Sequence, residues 1–196
     1  MDTFAGEDTL ILTDPVMGDD GEVYSIYTEA LRNRFCELVR RSYVITPNLT
    51  EALILLYGKE KMEAIWREFQ EISGRERLDQ IEETGRRLAE EFSLSAVVIT
   101  GVDYREGEEL VKIGNLVLEK EKSSWVFAEK SGGSYSGTGD LFASVLSAGL
   151  VKGYSMKKCA HLAVDFISAS IRDAVEEGTD RNDGVCFEAH LGRLIQ

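Results

Sequence analysis

The 196-residue sequence predicts an α/β fold: a mostly parallel sheet flanked by helices and extended by an antiparallel meander. Three observations carry that expectation. Short apolar runs of β type at residues 9–13, 43–46 and 95–100 alternate with helix-length amphipathic segments. Each run stops at a residue that starts a loop: Asp14-Pro15, Pro47 and Gly101. After residue 108 the pattern becomes a two-residue alternation, which reads as strands paired in series.

The elements follow in order. Gly18-Asp-Asp-Gly21 is turn chemistry. Residues 26–39 place Ile26, Ala30, Leu31, Phe35, Leu38 and Val39 on one helical face. Asn48, with Glu51 three residues on, forms a near capping box for a helix that carries Ala52, Leu53, Leu55 and Leu56 and ends near Gly58. Residues 59–92 are charged and helical, with a break near Ser73-Gly74 and a solvated outer face. The meander is read as three strands, 109–113, 116–119 and 124–128, with Gly114-Asn115 as a turn and Trp125 and Phe127 in the core. Helices over 141–150 and 156–175 split at Gly153, and a short helix covers 187–195. Nothing divides the chain, so residues 1–196 form one domain.

The net charge of −13 argues against wholesale binding to nucleic acid or an anionic membrane, so any phosphate site must be built locally. Three widely spaced cysteines, Cys36, Cys159 and Cys186, fit reduced thiols of a cytoplasmic protein. The two histidines, His161 and His190, lack the spacing of a zinc cluster, and His161 reads as a packed or surface residue. No signal-peptide pattern precedes the first strand, and no apolar run reaches membrane-spanning length.

In parallel sheets, ligands sit beyond the carboxyl ends of the strands. Asp14, Thr46-Pro47-Asn48 and Thr100-Gly101 fall there, as does the loop Ser136-Gly-Thr-Gly-Asp140. That last loop is the sharpest signal. Two glycines let backbone approach an anion at a helix N-terminus, where unpaired N–H groups and the helix dipole favour negative charge. A carboxylate at Asp140 would repel a phosphate, and fits best as the base that deprotonates an attacking hydroxyl. The competing reading makes Asp140 a first-turn residue and the glycines a turn.

Taken together, Asp14-Pro-Val-Met-Gly18-Asp19, Thr46-Pro-Asn48-Leu-Thr-Glu51, Val98-Ile-Thr100-Gly101 and Ser136-Gly-Thr-Gly-Asp140 closely resemble the ribokinase-like superfamily, and within it the pyridoxal/pyridoxamine kinases. Gly178-Thr-Asp180 and Gly184-Val-Cys-Phe187 look like the tail of those kinases. The resemblance implies a cytoplasmic, ATP-dependent kinase that phosphorylates the hydroxymethyl group of pyridoxal, pyridoxamine or pyridoxine, and often a homodimer. By it Asp140 is the general base, and the amides of Gly137, Thr138 and Gly139 form an anion hole. Asn48 and Glu51 match an Asn-x-x-Glu element that orders Mg²⁺ and its waters, while Asp19 stands near the phosphates. Asp14, Thr46 and Thr100 match positions around a monovalent cation, K⁺ or Na⁺, and Thr100-Gly101 lies along the nucleotide.

Structural readings compete. Asp14 can cap a turn with Pro15, Asn48 and Glu51 can be a cap alone, and Thr100 can reflect β-propensity. The resemblance also implies an amino-terminal βα region ahead of the first strand that has no counterpart here, so the expectation is a truncated kinase with an impaired acceptor side. Hydroxymethylpyrimidine kinase of thiamine synthesis, which shares the Gly-Thr-Gly-Asp loop, is the alternative enzyme. A non-catalytic nucleotide-binding remnant is the alternative from another class.

Overall fold

The computed structural model describes residue 6 and residues 9–106 and 110–195. In chain order these form β1 (Leu12–Thr13), β2 (Gly18–Asp19), β3 (Glu22–Val23), α1 (Glu29–Val39), β4 (Val44–Ile45), α2 (Leu49–Tyr57), α3 (Lys59–Glu71), α4 (Gly74–Phe92), β5 (Ala96–Glu106), β6 (Leu110–Glu119), β7 (Lys122–Glu129), α5 (Thr138–Val151), α6 (Met156–Glu177) and a closing 3-10 helix (Glu188–Leu194). Glu109, expected to open a strand, lies outside the described residues.

The main sheet is mixed, in the order β1-β4-β5-β6-β7. Its first half is parallel, with Leu12 opposite Val44 and Val44 opposite Ala96. Its second half is the antiparallel meander. The apolar runs are continuous because both faces are covered. Ile45, Val97, Ile99, Leu116 and Leu118 pack with α1–α4, whereas Val44, Ala96, Val98, Val117 and Val126 pack with α5 and α6. Successive residues of β5 thus feed opposite cores, as a period of two requires.

Three expectations change. Gly114-Asn115 is not a turn; β6 runs through it, and the reversal comes at Lys120, whose φ is 56°. The glycine is there because Phe127 lies across it, and an added Cβ would stand 2.7 Å from that ring. Phe127 and Trp125 are not fully enclosed: Val126 takes the buried place, while Phe127 is 38% exposed and stacks on a half-buried Trp125 with centroids 5.7 Å apart. The first helix starts at Glu29 under a Thr28 cap, which leaves Ile26 outside it and exposed. Ala30 is exposed as well, and Cys36 and Val39 form the buried stripe.

The outer edge of β1 has no strand partner among the described residues. Beside it lies a groove of about 370 Å³ lined by Leu10, Ile11, Leu12, Val44, Leu150 and Val151. Among the described residues no helix is long and apolar enough to cross a membrane.

Candidate functional site

β1, β4 and β5 are parallel: Asp14 and Thr46 directly follow β1 and β4, whereas Thr100 stands within β5, which does not stop at Gly101 as expected but passes through it and runs on to Glu106. The Thr46 hydroxyl donates to Asp14 Oδ1 at 3.0 Å. The Thr100 N–H donates to Pro47 O at 2.9 Å, and Thr100 bridges Asn48 in parallel register. Thr46 and Asp14 therefore meet directly, while Thr100 is fastened to the stretch that follows Thr46.

The hairpin β2–β3 sits on the amino end of α2. Asn48 Nδ2 donates to Gly18 O at 2.8 Å, and the Met17 N–H donates to Glu51 Oε1 at 3.1 Å. The Gly21 N–H donates to Thr50 Oγ1 at 2.9 Å. Asp19 is thereby carried to the rim, with its Oδ1 accepting from the Asp20 N–H. Asn48 and Glu51 make the full capping box, each side chain accepting from the other's backbone N–H at 2.9 Å.

The fourth loop enters α5 from the other side of the sheet. Gly137, at φ 81°, occupies the cap position, a left-handed conformation that suits glycine. No side chain caps this helix, so its leading amides are open to an incoming anion. The helix starts at Thr138, three residues ahead of the sequence expectation, which puts Thr138, Gly139 and Asp140 in its first turn. The Thr138 hydroxyl is turned back to Tyr135 O, leaving backbone as the offered surface. The Ser136 N–H donates to Arg181 O at 2.9 Å, so the segment after α6 steadies the loop. A Cβ on Gly139 would lie 3.8 Å from Asp14 Oδ2, which measures how near the first loop comes to the fourth. Asp140 is exposed.

Electrostatics link the carboxylates. Burial drives the Glu51 carboxyl up to about 8, against the two backbone N–H groups it accepts, and the charges of Asp14 and Asp19 push the same way. Burial also raises Asp14, opposed by the Thr46 hydroxyl and reinforced by Asp140. Asp19 is raised by partial desolvation. Four carboxyl groups, Asp14, Asp19, Glu51 and Asp140, thus come from three of the four loops and raise one another's proton affinity, an oxygen donor set of the kind hard cations favour. Among the described residues no three of His, Cys, Asp and Glu stand close enough to enclose a metal alone.

The sequence reading missed two residues here. Tyr24, whose hydroxyl is raised by desolvation and by Asp19, Glu51 and Asp14, stands beside the acidic edge. Its place directly after β3, the second strand of the hairpin, is the available sequence signal. Asn115 was read as a turn residue, yet it is buried on β6 with its Oδ1 accepting the Gly101 N–H at 3.2 Å.

Known proteins share this fold. A putative phosphomethylpyrimidine kinase from Bacteroides thetaiotaomicron, also solved with pyridoxal, superposes with a TM-score of 0.83 at 28% identity over 100% of this chain and 62% of its own. Pyridoxal kinase from Lactobacillus plantarum shares the fold at a TM-score of 0.75 and 23% identity, over 95% of this chain and 61% of its own. A pyridoxine kinase of Bacillus subtilis is 27% identical over 170 residues, 84% of this chain. The chain spans 54% of that relative's length. The phosphomethylpyrimidine kinase family matches residues 3–184, and since that span takes in every loop gathered at the acidic edge, the chain belongs to this kinase family.

Proposed function

We propose that the chain carries the nucleotide-handling face of an ATP-dependent kinase whose acceptor is the hydroxymethyl group of pyridoxal, pyridoxamine or pyridoxine. The observation that carries this reading is the uncapped start of α5 at Gly137-Thr138-Gly139, set beside Asp140 and within reach of Asp14. Phosphoryl transfer needs positioning and charge stabilisation more than covalent chemistry from the protein. The amides of Gly137, Thr138 and Gly139 receive the moving phosphoryl group, and Asp140 takes the proton from the acceptor hydroxyl as its oxygen bonds to the γ-phosphorus of ATP and the bond to the β,γ-bridging oxygen breaks, releasing ADP. Asp19 faces the phosphate side, and Thr100 with Gly101 lies along the nucleotide.

The donor set fits two cations. Glu51, through water, and Asn48 would hold Mg²⁺, which would supply neutralisation of phosphate charge. Glu51 has one lone pair of each oxygen engaged by a backbone N–H, which favours water-mediated over direct ligation. Asp14, Thr46 and Thr100 would hold a monovalent cation, K⁺ or Na⁺. The Thr46 hydroxyl, having donated its hydrogen to Asp14, keeps its lone pairs for such an ion.

Support for the vitamer comes from relatives: the Bacteroides protein was solved with pyridoxal and a Leishmania donovani kinase with ADP and pyridoxamine. The second reading, hydroxymethylpyrimidine as acceptor, is favoured by the family description itself. ADP release with ATP and Mg²⁺ against pyridoxal, pyridoxamine, pyridoxine and hydroxymethylpyrimidine separates the two. Turnover with vitamers alone supports the proposal, and turnover with hydroxymethylpyrimidine alone replaces it. Nucleotide binding without turnover on any acceptor points to a binding remnant.

A further inference from the structure

Resting on the nucleotide-site reading above, we propose that Asn115 is a positioning residue for that site, holding Thr100 and Gly101 in place through a built-in break in the sheet. β5 and β6 pair regularly up to Ile99 opposite Leu116 and resume at Val102 opposite Gly114. Between those pairs β5 has two residues, Thr100 and Gly101, and β6 has one, Asn115. That is a β-bulge, a device that bends a strand and re-aims what it carries. Gly101 has φ 70°, which glycine adopts without strain, and an added Cβ would meet nothing within 4 Å. Backbone conformation, rather than space, therefore demands the glycine.

The break would leave the Gly101 N–H without a ladder acceptor. Asn115 supplies one from its side chain, Oδ1 at 3.2 Å, and steadies its carboxamide by donating from Nδ2 to Val126 O at 3.4 Å on β7. At 4% exposure this is an amide buried mid-strand, a placement that is unfavourable unless both ends are used. The effect reaches the site through Thr100. Unpaired with β6, it keeps the register of Val44 with Ala96 and Ile45 with Val97, donating to Pro47 O and bridging Asn48. Asn115 acts through its bonds to Gly101 and Val126 and sets where the bulge of β5 lies relative to the loop that carries Asn48.

Two variants separate positioning from mere stability. Asn115→Leu removes the acceptor and fills the buried site with an apolar group, whereas Asn115→Asp keeps an Oδ acceptor for Gly101 but buries a charge. Three quantities are measured on wild type and both variants: affinity for AMP-PNP with Mg²⁺ by calorimetry, thermal midpoint, and amide hydrogen exchange at residues 100–102. Asn115→Leu is expected to weaken AMP-PNP binding and to speed exchange at Gly101, each by up to about tenfold, the effect of losing one part-buried hydrogen bond. Asn115→Asp should bind near wild type despite the lower midpoint. The proposal is overturned if Asn115→Leu binds AMP-PNP as wild type does with Gly101 equally protected, or if affinity across the three proteins simply follows the midpoint. If wild type itself binds no AMP-PNP, the functional reading falls instead, and Gly101 exchange alone decides whether Asn115 holds the bulge.

Discussion

Asn48 and Glu51 hold each other's backbone across the first turn of α2, and each also reaches out to the hairpin that carries Asp19. The Asn48 amide donates to Gly18 O and the Glu51 carboxylate accepts from Met17. The cap is therefore a clamp as well. Asn48→Ala removes both functions. A lost cap costs about 1 kcal/mol and a lost part-buried hydrogen bond a similar amount, so unfolding free energy should fall by about 2 kcal/mol. Urea denaturation checks this, and a loss no larger than an exposed cap gives would mean that the Gly18 contact adds nothing.

Glu51 makes stability depend on pH in a defined direction. Its carboxyl titrates near 8 in the folded protein against 4.5 for the free group, because it is buried. Between those values the folded chain keeps a proton that the unfolded chain has released. The contribution is fully present below about pH 4.5 and is lost as pH rises through about 8, at a slope of up to about 1.4 kcal/mol per pH unit. Asp14 and Asp19 are raised too and add in the same sense. In buffer with a chelator, the wild-type urea midpoint should fall between pH 5 and 8.5. Glu51→Gln should be less stable at pH 5, since one carboxylate acceptor becomes an N–H donor facing a backbone N–H, but should have a flatter profile. Parallel profiles for the two proteins would sink the assignment.

What the sequence made legible was whatever depends on near neighbours. The capping box shows in Asn48 and Glu51 because three residues of helix bring them together, and β1, β4 and the start of β5 show as apolar runs, whereas the stop expected at Gly101 is a bulge that β5 passes through. Gly114-Asn115 misled for the converse reason. The dipeptide has turn chemistry, but cross-strand contacts decide its fate: Phe127 needs the bare backbone of Gly114, and Gly101 needs the carboxamide of Asn115. The link between Asp14 and Gly139 spans most of the chain and becomes visible only when the loops are placed on one sheet edge. The edge character of β7, which leaves Phe127 exposed, depends on strand order, and no local pattern in residues 124–128 reports it.

Asp140→Asn tests the base without disturbing the fold. Asp140 lies exposed in the first turn of α5, where a carboxylate gains roughly 0.3–1 kcal/mol from the helix dipole, so stability should change by no more than that. Turnover should fall by about 10²–10⁴-fold, the usual worth of a positioned base. Affinity for AMP-PNP should hold or improve slightly, since a negative charge has been removed beside the phosphates. A variant that keeps its rate, measured by ADP release under saturating substrate, would remove Asp140 from the chemistry.

Gly21→Ala probes how the Asp19 hairpin is seated. Gly21 sits at φ 80°, and an added Cβ would lie 2.3 Å from Trp66 Nε1 on α3. Two penalties therefore coincide, left-handed strain and a clash with a ring, and about 1–3 kcal/mol should be lost. They can be told apart. Trp66→Leu in the same chain relieves the clash and leaves the strain, so the double variant should show a favourable coupling relative to the sum of the singles. Trp66 is one of two tryptophans, and with Trp125→Phe as background its emission reports the displacement directly. If the Gly21→Ala penalty stays the same with and without the indole, the hairpin is held by Thr50, Asn48 and Glu51, and Trp66 merely lies nearby.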